Sequence, residues 1–239
     1  MPLNDEVSFT WVGHGTWKVR SAAGKEVLID PWVMNNPVAP DRLKRVDKLD
    51  LMLVTHGHYD HIYDAVDVAK ETGCKVHAVF ETAMWMSTKG ITNLDGGNKG
   101  GSRDFDGIKV TMVHADHTCG ISDPPDAMAN IVYGGEACGL VIEFENGYTI
   151  YFSGDTDVFG DMRLIGELHR LDAAFLPIDG IYNMSPKRAA KAVELLGVKT
   201  VVPMHWGPHL GDTCGTPDQL REVVGAGVQV VAAKPGDTI

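Results

Sequence analysis

The sequence predicts a layered α/β protein, with mixed β-sheets inside and helices outside. Two observations carry this. Short apolar runs recur along the whole chain, and in its second half they alternate with helix-like segments. A third bounds it: 239 residues with 44% hydrophobic content suit one domain with a sizeable core, so residues 1–239 are read as a single unit.

The elements follow in order. Strands are expected at Val7–Val12, Glu26–Ile29 and Leu51–Thr55, each a run rich in apolar residues. His61–Thr72 has helical spacing and stops at Gly73, a residue suited to the left-handed position after a helix. A strand at Lys75–Phe80 leads into a helix at Glu81–Lys89, ended by Gly90. Strands follow at Ile108–Val113, Leu140–Phe144 and Thr149–Phe152, then an amphipathic helix at Gly160–Arg170. The remainder alternates strand Ala174–Pro177, helix Lys187–Leu196, strand Thr200–Pro203, helix Asp218–Val224 and strand Val228–Ala232. Ser185-Pro186 and Thr216-Pro217 open these two helices as N-cap and first helical residue. Two segments read as long loops, Ile91–Gly107 with its five glycines and Thr118–Cys138.

Composition narrows the function. A formal charge of -11 argues against a nonspecific nucleic-acid binder, which needs a basic face. No apolar stretch approaches the ~20 residues of a spanning helix, and the first residues carry no basic, apolar leader. Cys74, Cys119, Cys138 and Cys214 are widely spaced, without a CxxC pair. The expectation is a cytoplasmic protein with reduced thiols and no membrane span.

The chemistry is concentrated in Thr55-His56-Gly57-His58-Tyr59-Asp60-His61, directly after an apolar run. Neutral imidazole and carboxylate are the ligands preferred by borderline divalent metals. His56 and His58, two residues apart, project from one side of an extended loop and can reach one ion, while Asp60 and His61 can turn toward a second. Three further candidates stand just past other apolar runs: His117, Asp155 and His205. Strand ends in α/β sheets line a crevice, so His or Asp at four of them forms a constellation.

These residues occur in the order found in the metallo-β-lactamase fold superfamily, which the chain resembles. Within it the chain is most similar to small bacterial and archaeal metal-dependent hydrolases, through Gly13-His14, Ile29–Pro31, Ala115–His117, Tyr151–Thr156, Pro177-Ile178 and Pro203–His205. The resemblance implies a four-layer αββα sandwich of two mixed sheets flanked by helices, with metals at one edge. It implies that His56, His58 and His117 hold one metal, that Asp60, His61 and His205 hold another, and that Asp155 bridges both. The chain departs from these relatives at Trp206–Cys214, at Asp179 where glycine is usual, and in the loop 123–138, so no substrate carries over.

Two neighbouring divalent ions, zinc first with manganese or nickel as alternatives, lower the pKa of a shared water. The expected enzyme is a binuclear hydrolase in which that hydroxide cleaves an ester, lactone, amide or phosphodiester bond of a small molecule. Asp60 and Asp155 are the expected catalytic carboxylates. Two alternatives stand beside it, a phosphodiesterase acting on nucleotides or nucleic acid and a non-catalytic, metal-stabilised sensor or scaffold. A homo-oligomer is compatible with the sequence.

Ligating imidazoles usually donate their other N–H to a carboxylate or carbonyl. Asp30 is the leading candidate for that role, and His14 also faces the site. Asp179, Tyr182 and Asn183 lie where substrate is expected, with capping and turn roles as the plain alternative, and His209, four residues after His205, is a candidate substrate contact or general acid. His77 reads as a buried strand residue, His169 as solvated, His114 as a neighbour of the site, and Met84-Trp85-Met86 as core or interface.

Overall fold

A computed structural model describes residues 2–127 and 129–239; Met1, and Met128 within the expected 118–138 loop, lie outside the described residues. Two sheets form the centre. The first contains β1 (Ser8–Gly13), β2 (Thr16–Arg20), β3 (Glu26–Ile29), β4 (Leu51–Leu53), β5 (Lys75–Val79) and β6 (Leu94–Gly97), in that order. The pairs β1–β2 and β2–β3 are antiparallel, and pairing from β3 through β6 is parallel. The second sheet contains β7 (Ser102–Phe105), β8 (Ile108–His114), β11 (Cys138–Glu143), β12 (Thr149–Phe152), β13 (Ala173–Pro177), β14 (Thr200–Met204) and β15 (Gln229–Val230). It is antiparallel from β7 to β12 and parallel from β12 to β15. A separate hairpin joins β9 (Gly120–Ser122) to β10 (Ile131–Tyr133).

Period-two alternation assigns each strand residue to a layer. Val27 and Ile29 pack between the sheets, whereas Leu28 faces the helices α1 (Tyr59–Ile62), α2 (Ala65–Thr72) and α3 (Phe80–Thr88). Phe175 packs between the sheets, 5.1 Å from Phe9 and 5.0 Å from Trp17 by ring centroids. Its neighbours Ala174 and Leu176 face α4 (Met162–Leu168), α5 (Pro186–Leu196) and α6 (Pro217–Val223). The result is the αββα sandwich, with each buried aromatic or aliphatic side chain contributing about 1.5–3 kcal/mol. The C-terminal residues pair with β1 through Phe9 and Ile239, which covers that sheet edge. No helix among the described residues is long and apolar enough to cross a membrane.

Several expected boundaries move. The continuous helix His61–Thr72 is divided into α1 and α2, because Asp64 is held by tertiary bonds. Its N–H donates to the Pro31 carbonyl at 3.0 Å, and its carboxylate accepts from Val33 N at 2.5 Å and Asn35 N at 3.2 Å. The segments expected as long loops carry strands. β6 and β7 occupy the first, where Gly97 permits close approach: a Cβ there would lie 2.8 Å from His77. The β9–β10 hairpin occupies the second. Phe80 opens α3 and does not extend β5, β4 stops at Leu53, β11 starts two residues and ends one residue earlier than expected, and Val228–Ala232 pairs only over Gln229–Val230. β2 was not anticipated at all.

Candidate metal centre

Strand ends place every candidate. β4 runs out into Thr55 and His56, and the first turn of α1 carries Asp60 and His61. His117 follows β8, Asp155 follows β12, His205 follows β14, Asp30 follows β3, and His14 sits in the β1–β2 turn. His14, Asp30 and His205 all adopt left-handed backbone (φ 58, 51 and 51). Such conformations cost about 1–3 kcal/mol each and persist where surrounding structure over-determines them. Here the His205 N–H donates to the His14 carbonyl at 3.1 Å, which also accepts from Trp11 Nε1 at 3.0 Å. Gly15 and Gly154 allow the close packing. A Cβ on Gly15 would lie 2.4 Å from the His61 ring, and one on Gly154 2.7 Å from Thr55.

The structure brings all seven sequence-predicted ligands together. His56 Nε2 and His117 Nε2 each lie 3.2 Å from His58 Nδ1. Three nitrogens bound tetrahedrally to zinc at about 2.0–2.1 Å stand about 3.3 Å apart, so this set fits an ion without rearrangement. Asp60, His61, His205 and His14 form a second group with ligand atoms within 4.8 Å of one another. Asp155 lies between the groups. Its Oδ1 is 3.3 Å from His61 Nε2, and its Oδ2 is 3.2 Å from His205 Nε2 and 3.7 Å from His117 Nε2.

Hydrogen bonding behind the rings fixes what they present. Asp30 is fully buried and accepts from Thr55 N at 2.8 Å and Thr55 Oγ1 at 2.7 Å, with His61 Nδ1 2.8 Å away. Thr55 Oγ1 in turn meets His56 Nδ1 at 3.0 Å. Asp179 Oδ2 lies 3.1 Å from His205 Nδ1, while the same carboxylate accepts from the N–H groups of Ile181 and Tyr182 at 2.7 and 2.6 Å. Asp179 therefore fixes the loop after β13 and stands directly behind the His205 ring. A carboxylate can only accept, so the hydrogen-bonded Nδ1 of His61 carries a proton and its Nε2 lone pair faces Asp155 and Asp60, while His205 Nδ1 lies beside the Asp179 carboxylate without an aligned hydrogen bond. Lone pairs then crowd one another across 3.2–3.8 Å, and His61 Nε2, both ring nitrogens of His205 and Asp155 Oδ1 are buried without a hydrogen-bond partner. A cation among these groups would resolve this, as would added protons or a donating water.

The protonation tendencies express the same conflict. Burial disfavours charge on His61, yet the carboxylates of Asp155, Asp60 and Asp30 raise it to about 10. His205 is likewise raised against burial by Asp155, Asp179 and Asp60. Asp60 and Asp155 are held well below the usual carboxylate range by those histidines, again against burial. His56, His58 and His117 are pushed down by burial and by neighbouring imidazoles, leaving neutral rings with free lone pairs. Burial and His205 lower His14 to about 4 despite its 2.8 Å contact with Asp60 Oδ2.

A cleft of about 880 Å³ opens above this centre, and His14, His58, Asp60, His117, Asp155, His205 and His209 reach it. His209 Nε2 is 3.0 Å from His14 Nδ1. Sequence reasoning gave no role to Thr55, Thr118 or Trp32. Thr118 Oγ1 meets His58 Nε2 at 3.1 Å and Trp32 lines the cleft. Thr55 adjoins the histidine motif, which was its signal; the other two carry none. His77 is buried in β5 as expected, His114 is exposed beside Phe159, and Trp85 and Met86 belong to the core, with Met84 exposed.

Known proteins with these features can be compared directly. The profile of the beta-lactamase superfamily domain matches residues 25–206. A "UPF0173 metal-dependent hydrolase" of Koribacter versatilis is 47% identical, covering 97% of each chain. Another from Solibacter usitatus is 45% identical over 98% of this chain and 99% of its own. The solved structure of Igni18, described as a novel metallo hydrolase from Ignicoccus hospitalis, superposes with a TM-score of 0.81 at 32% identity, covering 98% of this chain and 97% of its own.

Proposed function

We propose, from the premise that this chain belongs to the UPF0173 metal-dependent hydrolases of the beta-lactamase superfamily, that it hydrolyses a small molecule with two adjacent divalent ions. His56, His58 and His117 would hold one ion, Asp60, His61 and His205 the other, and Asp155 both. The observation that carries this reading is the pair of imidazoles, backed by Asp30 and Asp179, whose Nε2 lone pairs confront Asp155 and Asp60. Charge supports it as well. Buried Asp30, Asp155 and Asp179 and the partly exposed Asp60 are four carboxylates in one network, and two divalent cations would balance them.

Such ions, zinc by the nitrogen-rich donor set with manganese or nickel as alternatives, would supply a water of lowered pKa and polarise the bond to be cleaved. The chain's own residues do the positioning. Asp30 fixes the His61 imidazole in the tautomer that points Nε2 inward, and Asp179 lies 3.1 Å behind His205 Nδ1. His14 steadies Asp60 Oδ2, which faces the cleft and can orient the attacking water. No thiolate competes as nucleophile, since burial pushes the Cys119 and Cys138 thiols up. The open cleft favours turnover over a purely structural metal site. All four cysteines are free and buried, which suits a reducing, cytoplasmic setting.

The test is Asp155→Ala. Loss of both bound metal and hydrolysis of ester, lactone and phosphodiester probes is expected; full activity would overturn the mechanism.

A further inference from the structure

Resting on that hydrolytic reading, we propose that the substrate is an uncharged ester, lactone or amide whose apolar arm, several carbons long, lies along the cleft wall formed by Trp32, Tyr59, Ile131, Tyr182 and Leu210. The wall is apolar although it surrounds a polar floor. Ile131 is 65% and Tyr182 67% exposed, and they come from different elements, the β9–β10 hairpin and the loop after β13. The fold covers neither side chain. Large exposed apolar groups that converge on one mouth mark a surface that takes an apolar ligand.

The electrostatics select for neutrality. No lysine or arginine lines the cleft among the described residues; outside the candidate metal ligands and His14 its polar groups are the His209 imidazole and the uncharged hydroxyls of Tyr59, Thr118, Ser122 and Tyr182. Two divalent ions would be balanced by Asp30, Asp60, Asp155 and Asp179, so the loaded floor carries no surplus positive charge. The chain as a whole is acidic, at -11. An anionic substrate would meet an unfavourable field on approach and no cation to receive it. A phosphodiester or a carboxylate-ended ester is therefore disfavoured relative to a neutral ester of equal length.

The holoenzyme is assayed with p-nitrophenyl acyl esters from two to eight carbons, with a carboxylate-ended ester of matched length, and with bis-p-nitrophenyl phosphate. Alkyl phenyl ketones of rising length serve as uncleaved ligands in titration calorimetry. We expect kcat/KM and ketone affinity to rise by up to about fourfold per methylene over the first several carbons. The charged probes should fall at least tenfold below the neutral ester of equal length. Ile131→Ser should flatten the chain-length dependence of ketone binding while metal content stays unchanged. Turnover that is flat with chain length or faster on the anionic probes would overturn the substrate class and leave the hydrolase reading standing. Chain-length-dependent ketone binding with no turnover of any ester, of a matched lactone and anilide, or of bis-p-nitrophenyl phosphate would support the cleft assignment and overturn the hydrolase reading instead.

Discussion

Asp30→Asn separates folding from metal binding, because the position demands two different things of one side chain. The carboxylate accepts three bonds, from Thr55 N, Thr55 Oγ1 and His61 Nδ1, at 2.8, 2.7 and 2.8 Å. The carboxamide is isosteric and tolerates the left-handed backbone (φ 51) as well as aspartate does. Its oxygen can still accept from Thr55 N. Its NH₂ takes the place of Oδ2, and the Thr55 hydroxyl can reverse to accept from it. His61 Nδ1 cannot remain a donor against an NH₂ group, so its proton moves to Nε2, the atom that faces Asp60 and Asp155. Losing one charge-assisted bond costs about 1–3 kcal/mol of stability. Placing a proton on the nitrogen that would bind the ion costs a comparable amount at the site. Mutating groups behind ligands lowers metal affinity about 10–100-fold, and the wrong tautomer behind a catalytic histidine lowers kcat by on the order of 10⁴. Elemental analysis after dialysis, alongside thermal melting of chelated protein, checks both halves. The chelated variant should melt within several degrees of the chelated wild type, while the His61 metal position is vacant and activity falls at least a hundredfold. Wild-type metal retention would refute the tautomer argument.

Two more expectations follow from packing and burial. Gly15→Ala places a Cβ 2.4 Å from the His61 ring, about 1 Å inside ordinary contact, and the ring is pinned by Asp30. A stability loss of about 1–3 kcal/mol and a drop in kcat/KM of about 10²-fold are expected, with Gly160→Ala, which meets no atom within 4 Å, as the unaffected control. His77 is 1% exposed, and burial holds its pKa below 6.5 in spite of Asp95. The unfolded chain therefore binds a proton that the fold refuses. This contribution is constant above about pH 6.5 and turns against the fold as pH drops below it, by up to about 1.4 kcal/mol per unit until the folded pKa is reached. Denaturant titrations of wild type and His77→Leu between pH 7 and 5 should show the shallower decline in the variant; equal slopes would place the titrating groups elsewhere.

The legible parts of the chain were those where local chemistry and tertiary role agree. Leu51–Leu53 and Ala173–Pro177 are buried on both faces and read as continuous apolar runs. The ligands stood out because each lies just past such a run. β7 was hidden by its polar, mostly exposed residues at a sheet edge, and β6 by glycines placed there for close packing. β9 and β10 pair only with each other and are three residues long, too short for the buried Ile121 to show as an alternating pattern. The interruption at Asp64 depends on the Pro31–Asn35 segment, remote in sequence, and no periodicity records it. The same holds for Asp179, whose turn role was readable but whose contact with His205 is a product of the fold alone. The apolar cleft wall was least visible, since Trp32, Ile131 and Leu210 come from three unrelated segments.

The most direct test of the central claim is the metal content of the chain, measured by elemental analysis on protein purified without a histidine tag or chelator. About two transition-metal ions per chain are expected from the ligand set. One ion or none, persisting after incubation with zinc or manganese, would contradict the binuclear centre.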